Sequence, residues 1–412
     1  MSQPEHALLT QLFRTESGKL TAVLGRAFGL AQLQMAEDVV SDTFLLAMET
    51  WGKKGIPDNP TAWLYTVAKN KVRDLLRRDT TFREKVQPEW FHTASQPSQL
   101  DLNLSEDHIQ DSQLRMLFAV CHPSLPQESQ IALALRSLAG FGIGEIAEAF
   151  LTNKSSINKR LYRAKTQLRE ANIQLELPPD LELSHRLGSV LRIIYLLFNE
   201  GYAATFSNQL LQKDLCLEAM HLGVLLTMQP STHVPEVDAL LALMCFHASR
   251  LDSRIQQGQW VLYEEQDQRL WDRALIQQGE RFLNQAARGE QLSKYHLEAA
   301  IAFWHTKGKD HPTKWEQILQ LYNYLLQVEY SPMAALNRTY AVFRVRGAAE
   351  ALRQAKALSL ETWHWYHCLL ADLHQATNQE AAKEALTTAL GLAKTEADRA
   401  TIQLKMDRLG KR

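Results

Sequence analysis

The sequence predicts an all-α protein. Apolar residues recur at helical spacing in nearly every segment, strand-like alternation is rare, and no Gly-rich phosphate loop follows a strand. The 412 residues suffice for about two to four domains. Hydrophobic residues at 45% and charged residues at 22% are ordinary for a folded globular chain. With 45 Lys+Arg against 46 Asp+Glu the net charge is −1, so any case for nucleic acid rests on local patches.

Four regions follow in order. The first runs from Glu5 to Glu84. Helical patterns cover residues 8–29 and 35–51, and the loop GKKGIPDNP follows over 52–60. A long helix is then expected from Thr61 to Asp79, with Asn59 as its cap and Pro60 at its first position. The second region, Lys85 to Asp111, is rich in Gln, Ser, Pro and Asp without clear period and reads as a flexible linker. The third runs from Ser112 to Leu177, and Pro178 and Pro179 then punctuate the chain. The last, 183–412, is a long series of amphipathic helices. Its final third holds helix pairs at a spacing close to that of a tetratricopeptide unit, in PMAALNRTYAVFRVRGAAEALRQAKAL and WYHCLLADLHQATNQEAAKEALTTALGLA. In the latter, Leu370, Ala371, Leu373, Ala381, Ala385 and Ala389 are the expected packing positions, and such units stack into one array.

Within the third region, residues 142–170 have a distinct layout. A short helix offers Ile143, Ile146, Ala147 and Phe150 on one face. Thr152, Asn153 and Ser155 favour a turn and a helix start, because their side chains can accept from free backbone N–H groups. The second helix buries Ile157, Leu161, Ala164 and Leu168 and turns Asn158, Lys159, Tyr162, Arg163 and Lys165 outward. That is the layout of a helix-turn-helix whose second helix enters the major groove. A helical hairpin with a solvated charged face is the alternative.

The helix over 61–79 carries a second basic patch: Lys69, Lys71, Arg73, Arg77 and Arg78, with Asn70 among them and Trp63 and Tyr65 upstream. Cations neutralise phosphates, and aromatic rings stack on bases that leave the duplex. The Gly- and Pro-shaped loop before it, with two lysines, suits an extruded base. The alternative is a core helix with a solvated basic face. Residues 36–51 differ in character. Glu37, Asp38 and Asp42 near Val39, Phe44 and Leu45 make an acidic, apolar helix, poorly suited to phosphate and better suited to a basic protein surface.

Taken together, these parts resemble the sigma-70 family of initiation factors, of the extracytoplasmic-function (ECF) type. AEDVVSDTFLLAMETW resembles the family's core-polymerase-binding helix, PDNPTAWLYTVAKNKVRDLLRRD its −10 region, and IALALRSLAGFGIGEIAEAFLTNKSSINKRLYRAKTQLRE its region 4, which reads the −35 element. The stretches LFAVCHPSLP, YLLFNEGYAA, EEQDQRLWDRALI and AALNRTYAV resemble an ECF subgroup with a C-terminal tetratricopeptide-like extension. The resemblance implies region 2 over 5–84, the linker over 85–111, region 4 over 112–177 and the extension over 183–412. It implies core RNA polymerase and promoter DNA as partners. Asp38, Asp42, Phe44 and Leu45 would dock on polymerase. Ser155, Ser156, Asn158, Lys159, Arg160, Arg163 and Lys165 would bind the −35 duplex. Trp63, Lys69, Asn70, Arg73 and Arg77 would hold the −10 region, with the loop Gly52–Pro57 helping to keep strands apart. Asn153-Lys154 stands where the family pattern has Pro-Glu, and Asn158-Lys159 where Ala-Gln is common. Both departures bear on promoter preference. The helical array is expected to regulate the DNA-binding half through a protein partner or an intramolecular contact. The rival function is a helix-turn-helix regulator with a ligand- or protein-sensing helical domain and no polymerase docking.

No catalytic constellation stands out, so no enzyme activity, cofactor or metal is expected. His364 and Cys368 share a helix face, but Ala371 occupies the place a further thiol would need. Cys121-His122 reads as a buried helix end, and the run around Glu264, Glu265, Asp267 and Arg269 as surface ion pairs or a repeat junction. The four separated cysteines suit a reducing compartment. The N-terminus lacks the pattern of a secretory signal, and the longest apolar runs, such as Ile193 to Phe198, are too short to span a bilayer. A cytoplasmic location with no membrane partner is the expectation.

Overall fold

The computed structural model describes residues 3–86, 103–150, 152–203, 213–256, 259–308, 311–375 and 377–409. Their regular structure is α-helix, apart from short 3-10 turns and a two-residue antiparallel ladder pairing Ile255 with Trp260. The chain divides into two compact units, 1–196 and 197–412.

The first unit begins with α1 (Gln3–Phe28), α2 (Leu33–Lys54) and α3 (Pro60–Val86). Asn59 caps α3 as expected, its Oδ1 accepting from the Ala62 amide at 2.9 Å. Their shared core is Leu20, Val23, Leu24, Val40, Phe44, Ala47, Trp51, Leu64, Ala68 and Val72. The expected 52–60 loop is shorter than its sequence suggested, because α2 runs on through Lys54 until Gly55 donates its amide to the Trp51 carbonyl at 2.9 Å.

Next come α4 (Glu106–Val120), α5 (Gln127–Ser137), α6 (Ile143–Ala149) and α7 (Lys154–Glu170). Most of the expected linker lies outside the described residues. Its end, however, is helix rather than linker: α4 starts at Glu106, with Glu106 and Asp107 favourably placed in the first turn. Ile109 is 3% exposed and buried in the core of α1–α3, which holds this turn in place.

Helices α1–α3 and α4–α7 pack directly on one another. α1 packs against α2, α4 and α5. A side chain at Gly18 would drive its Cβ into the backbone carbonyl of Leu138, so only glycine allows α1 to lie this close to the end of α5. Gly140, at φ +66°, turns the chain against Ser17 and Phe13. Arg14 pairs with Glu145 and lies 4.5 Å above the Phe141 ring.

The second unit holds the rest of α8 (Asp180–Ala203), then α9 (Lys213–Thr227), α10 (Pro235–Ala248), α11 (Arg273–Ala286), α12 (Lys294–Thr306), α13 (Lys314–Val328), α14 (Pro332–Arg346), α15 (Ala348–Lys356), α16 (His364–His374), α17 (Gln379–Leu392) and α18 (Glu396–Leu409). Successive helices pack on one another from α9 onward, as a stacked array requires. Of the expected packing positions, Ala371, Leu373, Ala385 and Ala389 are buried, whereas Leu370 and Ala381 are half-buried and Ala382 takes the interior place. Among the described residues no helix is long and apolar enough to cross a membrane.

Candidate functional site

The acidic helix α2 divides its residues by phase. Ala36, Val40, Phe44, Ala47 and Trp51 form the buried stripe. Asp38, Asp42, Leu45 and Glu49 lie on the opposite, exposed side at helical spacing. Phe44, grouped in the sequence with Asp38, Asp42 and Leu45, lies on the buried side instead: it is 5% exposed and packs edge-on to Phe13 at 4.9 Å. Glu37 is also buried, at 6%. Leu45 is 52% exposed, and Leu46 and Met48, which the sequence reading did not single out, are exposed beside it. Together with the carboxylates they form a mixed apolar and acidic surface patch. Asp42 lies 3.8 Å from Lys71 of α3.

On α3, Asn70, Arg73 and Arg77 are exposed and Lys69 is half-buried. The upstream aromatics are engaged within the fold. Trp63 packs edge-on to Trp51 at 5.4 Å and leans on the core of α1–α3. The Tyr65 hydroxyl donates to Glu16 at 2.9 Å, and burial together with the Glu16 carboxylate pushes its pKa well up, so it stays a neutral donor. Both residues are half-buried.

In α6 and α7, Ile146, Ala147, Ile157, Leu161, Ala164 and Leu168 are buried as their spacing requires. Asn153 caps α7, its Oδ1 accepting from the Ser156 amide at 2.8 Å. Ser155, Ser156, Asn158, Lys159, Tyr162 and Arg163 are exposed. Two expected contacts are not open. Arg160 is half-buried, pairs with Glu128 at 2.7 Å and lies 5.0 Å above the Phe150 ring. Lys165 does not face water: its ammonium donates to Glu37 at 2.7 Å and to Gln34 at 2.9 Å. It points to α2 because Glu37 is the buried anion there, also taking a hydrogen bond from Ser137 at 3.0 Å and lying 3.6 Å from Arg136. Exposed cations remain on α3 and α7, whereas the acidic stripe lies on α2.

The remaining candidates are structural. Cys121 is the buried C-cap of α4. His364 lies 3.6 Å from Asp398, and burial lowers its pKa while pushing the Cys368 thiol up to about 11. Among the described residues no group of three or more His, Cys, Asp or Glu is placed to hold a metal. Glu264 pairs with Arg344 at 3.0 Å, Glu265 with Arg408, and Asp267 with Arg269 at 2.8 Å. These are the ion pairs expected of that run.

The helices bearing these faces match known families. Residues 12–81 match sigma-70 region 2 and residues 115–168 match sigma-70 region 4. A chain that joins these two domains is a DNA-binding transcription initiation protein that works with RNA polymerase. It belongs to the sigma-70 family of RNA polymerase sigma factors, whose domains bind core polymerase and promoter DNA. Residues 186–287 match a family of unknown function, DUF6596. An uncharacterized protein of Rhizobium meliloti (strain 1021) is 34% identical over 386 residues, 92% of this chain and 90% of that protein. A probable RNA polymerase sigma factor of Haemophilus influenzae (strain ATCC 51907 / DSM 11121 / KW20 / Rd) is 24% identical over 148 residues, 33% of this chain and 76% of that protein. No solved structure matches.

Proposed function

We propose that this sigma factor is of the ECF type, docks on core polymerase through the exposed stripe of α2, and directs it to −35 and −10 elements through α7 and α3. The observation that carries this reading is the alternation on α2: Asp38, Asp42 and Leu45 exposed on one side, Phe44 and Trp51 buried on the other. Acidic groups flanking an exposed leucine fit a basic, partly apolar protein surface and repel phosphate. Asn158, Lys159 and Arg163 take the −35 duplex, some through base edges and some through phosphates. Asn70, Arg73 and Arg77 take the backbone of the −10 region. The protein acts by positioning and catalyses nothing itself. The helices of the second unit form a tetratricopeptide-like array that regulates the DNA-binding half.

Run-off transcription with purified core polymerase tests the reading. Full-length protein should give promoter-specific transcripts, and Asp38→Lys should abolish them while leaving the folded helical signal unchanged. Retained co-purification of that variant with core enzyme would remove the docking face. Arg163→Ala should weaken promoter binding by about 1–3 kcal/mol if it reads a base, and by a similar factor at every sequence if it holds a phosphate. Deleting the residues after Leu177 should change transcript yield strongly, and an unchanged yield would end the regulatory role of the array.

A further inference from the structure

We propose that the second unit holds a binding site for an organic amine with a flat apolar body, in a cavity of about 770 Å³ walled on one side by α18. The site lies wholly within 197–412. Its test uses neither polymerase nor DNA, so it is decided independently of the sigma-factor reading.

One wall of the cavity is a run of rings. Their centroids step from Tyr263 to His305 at 5.0 Å, to Trp315 at 5.8 Å, to Tyr340 at 5.5 Å and to Phe343 at 5.9 Å. Ring faces attract cations and flat apolar bodies alike. The wall already holds one cation: the Arg344 guanidinium lies 4.5 Å above the Trp315 ring and pairs with Glu264 at 3.0 Å. The carboxylates of the cavity are Glu264, Glu265 and Asp372. The other two also hold basic side chains of the protein. Arg408 pairs with Glu265, and the Lys405 ammonium donates to both Asp372 oxygens at 2.7 Å. These two pairs are partly in water, so each contributes little to the fold and is open to exchange. A ligand ammonium replaces Lys405 at Asp372 like for like. α18 does not depend on that pair, because Ile402 is fully buried among residues of α16 and α17.

The cavity also contains an unmet polar group. His305 lines it, and its Nδ1 is buried without a hydrogen-bond partner among the described residues. A neutral imidazole nitrogen shut away from water calls for a polar partner. Burial first, then Arg250 and Lys314, keeps this imidazole neutral. The same two cations repel an ammonium from the His305 end and leave it to the carboxylates. Charge therefore sets the direction of the ligand: ammonium at Asp372, ring along Trp315 and Tyr340, and a hydroxyl or similar neutral group at His305.

Tyramine has these three parts, and isothermal titration calorimetry with the full-length chain tests the site. Wild type should bind tyramine saturably. It should bind 4-ethylphenol, which lacks the ammonium, about ten-fold more weakly, the loss expected of one charge-assisted hydrogen bond. Asp372→Asn should weaken tyramine binding by a similar factor. Lys405→Gln should strengthen it, because the competing ammonium is gone, and both changes leave the burial of Ile402 untouched. A wild type that takes up no tyramine, or takes up 4-ethylphenol equally well, overturns the proposal without any variant. So does Asp372→Asn with unchanged affinity. Lys405→Gln binding no more tightly than wild type also overturns it, since the lysine would then be a structural bridge and not a stand-in for the ligand.

Discussion

Phe44 and Leu45 are adjacent in sequence, yet one is 5% and the other 52% exposed. The helical repeat of about 100° per residue puts Phe44 in register with Val40, Ala47 and Trp51, and Leu45 with Asp38, Asp42 and Glu49. The register was legible in the sequence, since Ala36, Val40, Phe44, Ala47 and Trp51 recur at spacings of three and four. Grouping the apolar residues by their closeness to carboxylates hid it. Phe44→Ala should cost about 3–5 kcal/mol of stability, read as a lower denaturant midpoint, because the ring is enclosed and its loss leaves a cavity. Leu45→Ala should stay within about 0.5 kcal/mol of wild type and lose affinity for core polymerase instead. Equal stability losses in the two would mean that the exposed leucine is core.

At the scale of elements, local chemistry fixed most boundaries. Asn59 and Asn153 each start a helix by accepting a backbone N–H, and both starts were legible because an Asn cap acts within its own turn. Asn153→Ala should destabilise α7 by about 1 kcal/mol, seen as faster hydrogen exchange in its first turn, with α4 and α5 unaffected. Unchanged exchange in that turn would show that packing alone starts the helix. The beginning of α4 was harder to read. Its first turn, Glu106 to Ile109, continues a Gln-, Ser- and Asp-rich stretch without period, and Ile109 secures it by burial against distant helices. The contact between the two sigma-70 domains was not legible at all. It depends on Gly18 meeting Leu138 and on Glu37 meeting Lys165, pairs far apart in sequence with no local signature. A lysine outward by periodicity can still find a buried anion on another helix.

Taken as a whole, the molecule has two units whose ionisable interiors differ. In 197–412, His247 and His305 pack among Arg250, Arg254 and Lys314, and His247 also lies 4.7 Å from the Tyr202 ring. Burial first, then these cations, holds both imidazoles well below the usual histidine pKa. Both are neutral in the folded protein, and Nδ1 of each is buried without a hydrogen-bond partner among the described residues. The unfolded chain takes up these protons at an ordinary pKa of about 6.5. The stabilisation is therefore fully present above that pH and is lost as pH falls below it, at up to about 1.4 kcal/mol per pH unit for each histidine. In the first unit, burial also lowers His108 and His122, but neither is shifted as far. Calorimetry between pH 7.5 and 5.5, about one unit on either side of the ordinary histidine pKa, should move the transition of the second unit down more steeply than that of the first, with the difference confined to the acid half of the window. His247→Gln should remove about half of the excess slope, whatever it does to the midpoint at neutral pH. A slope identical to wild type would mean that His247 is already protonated in the folded array, and that the cations around it have a counter-charge strong enough to admit one more.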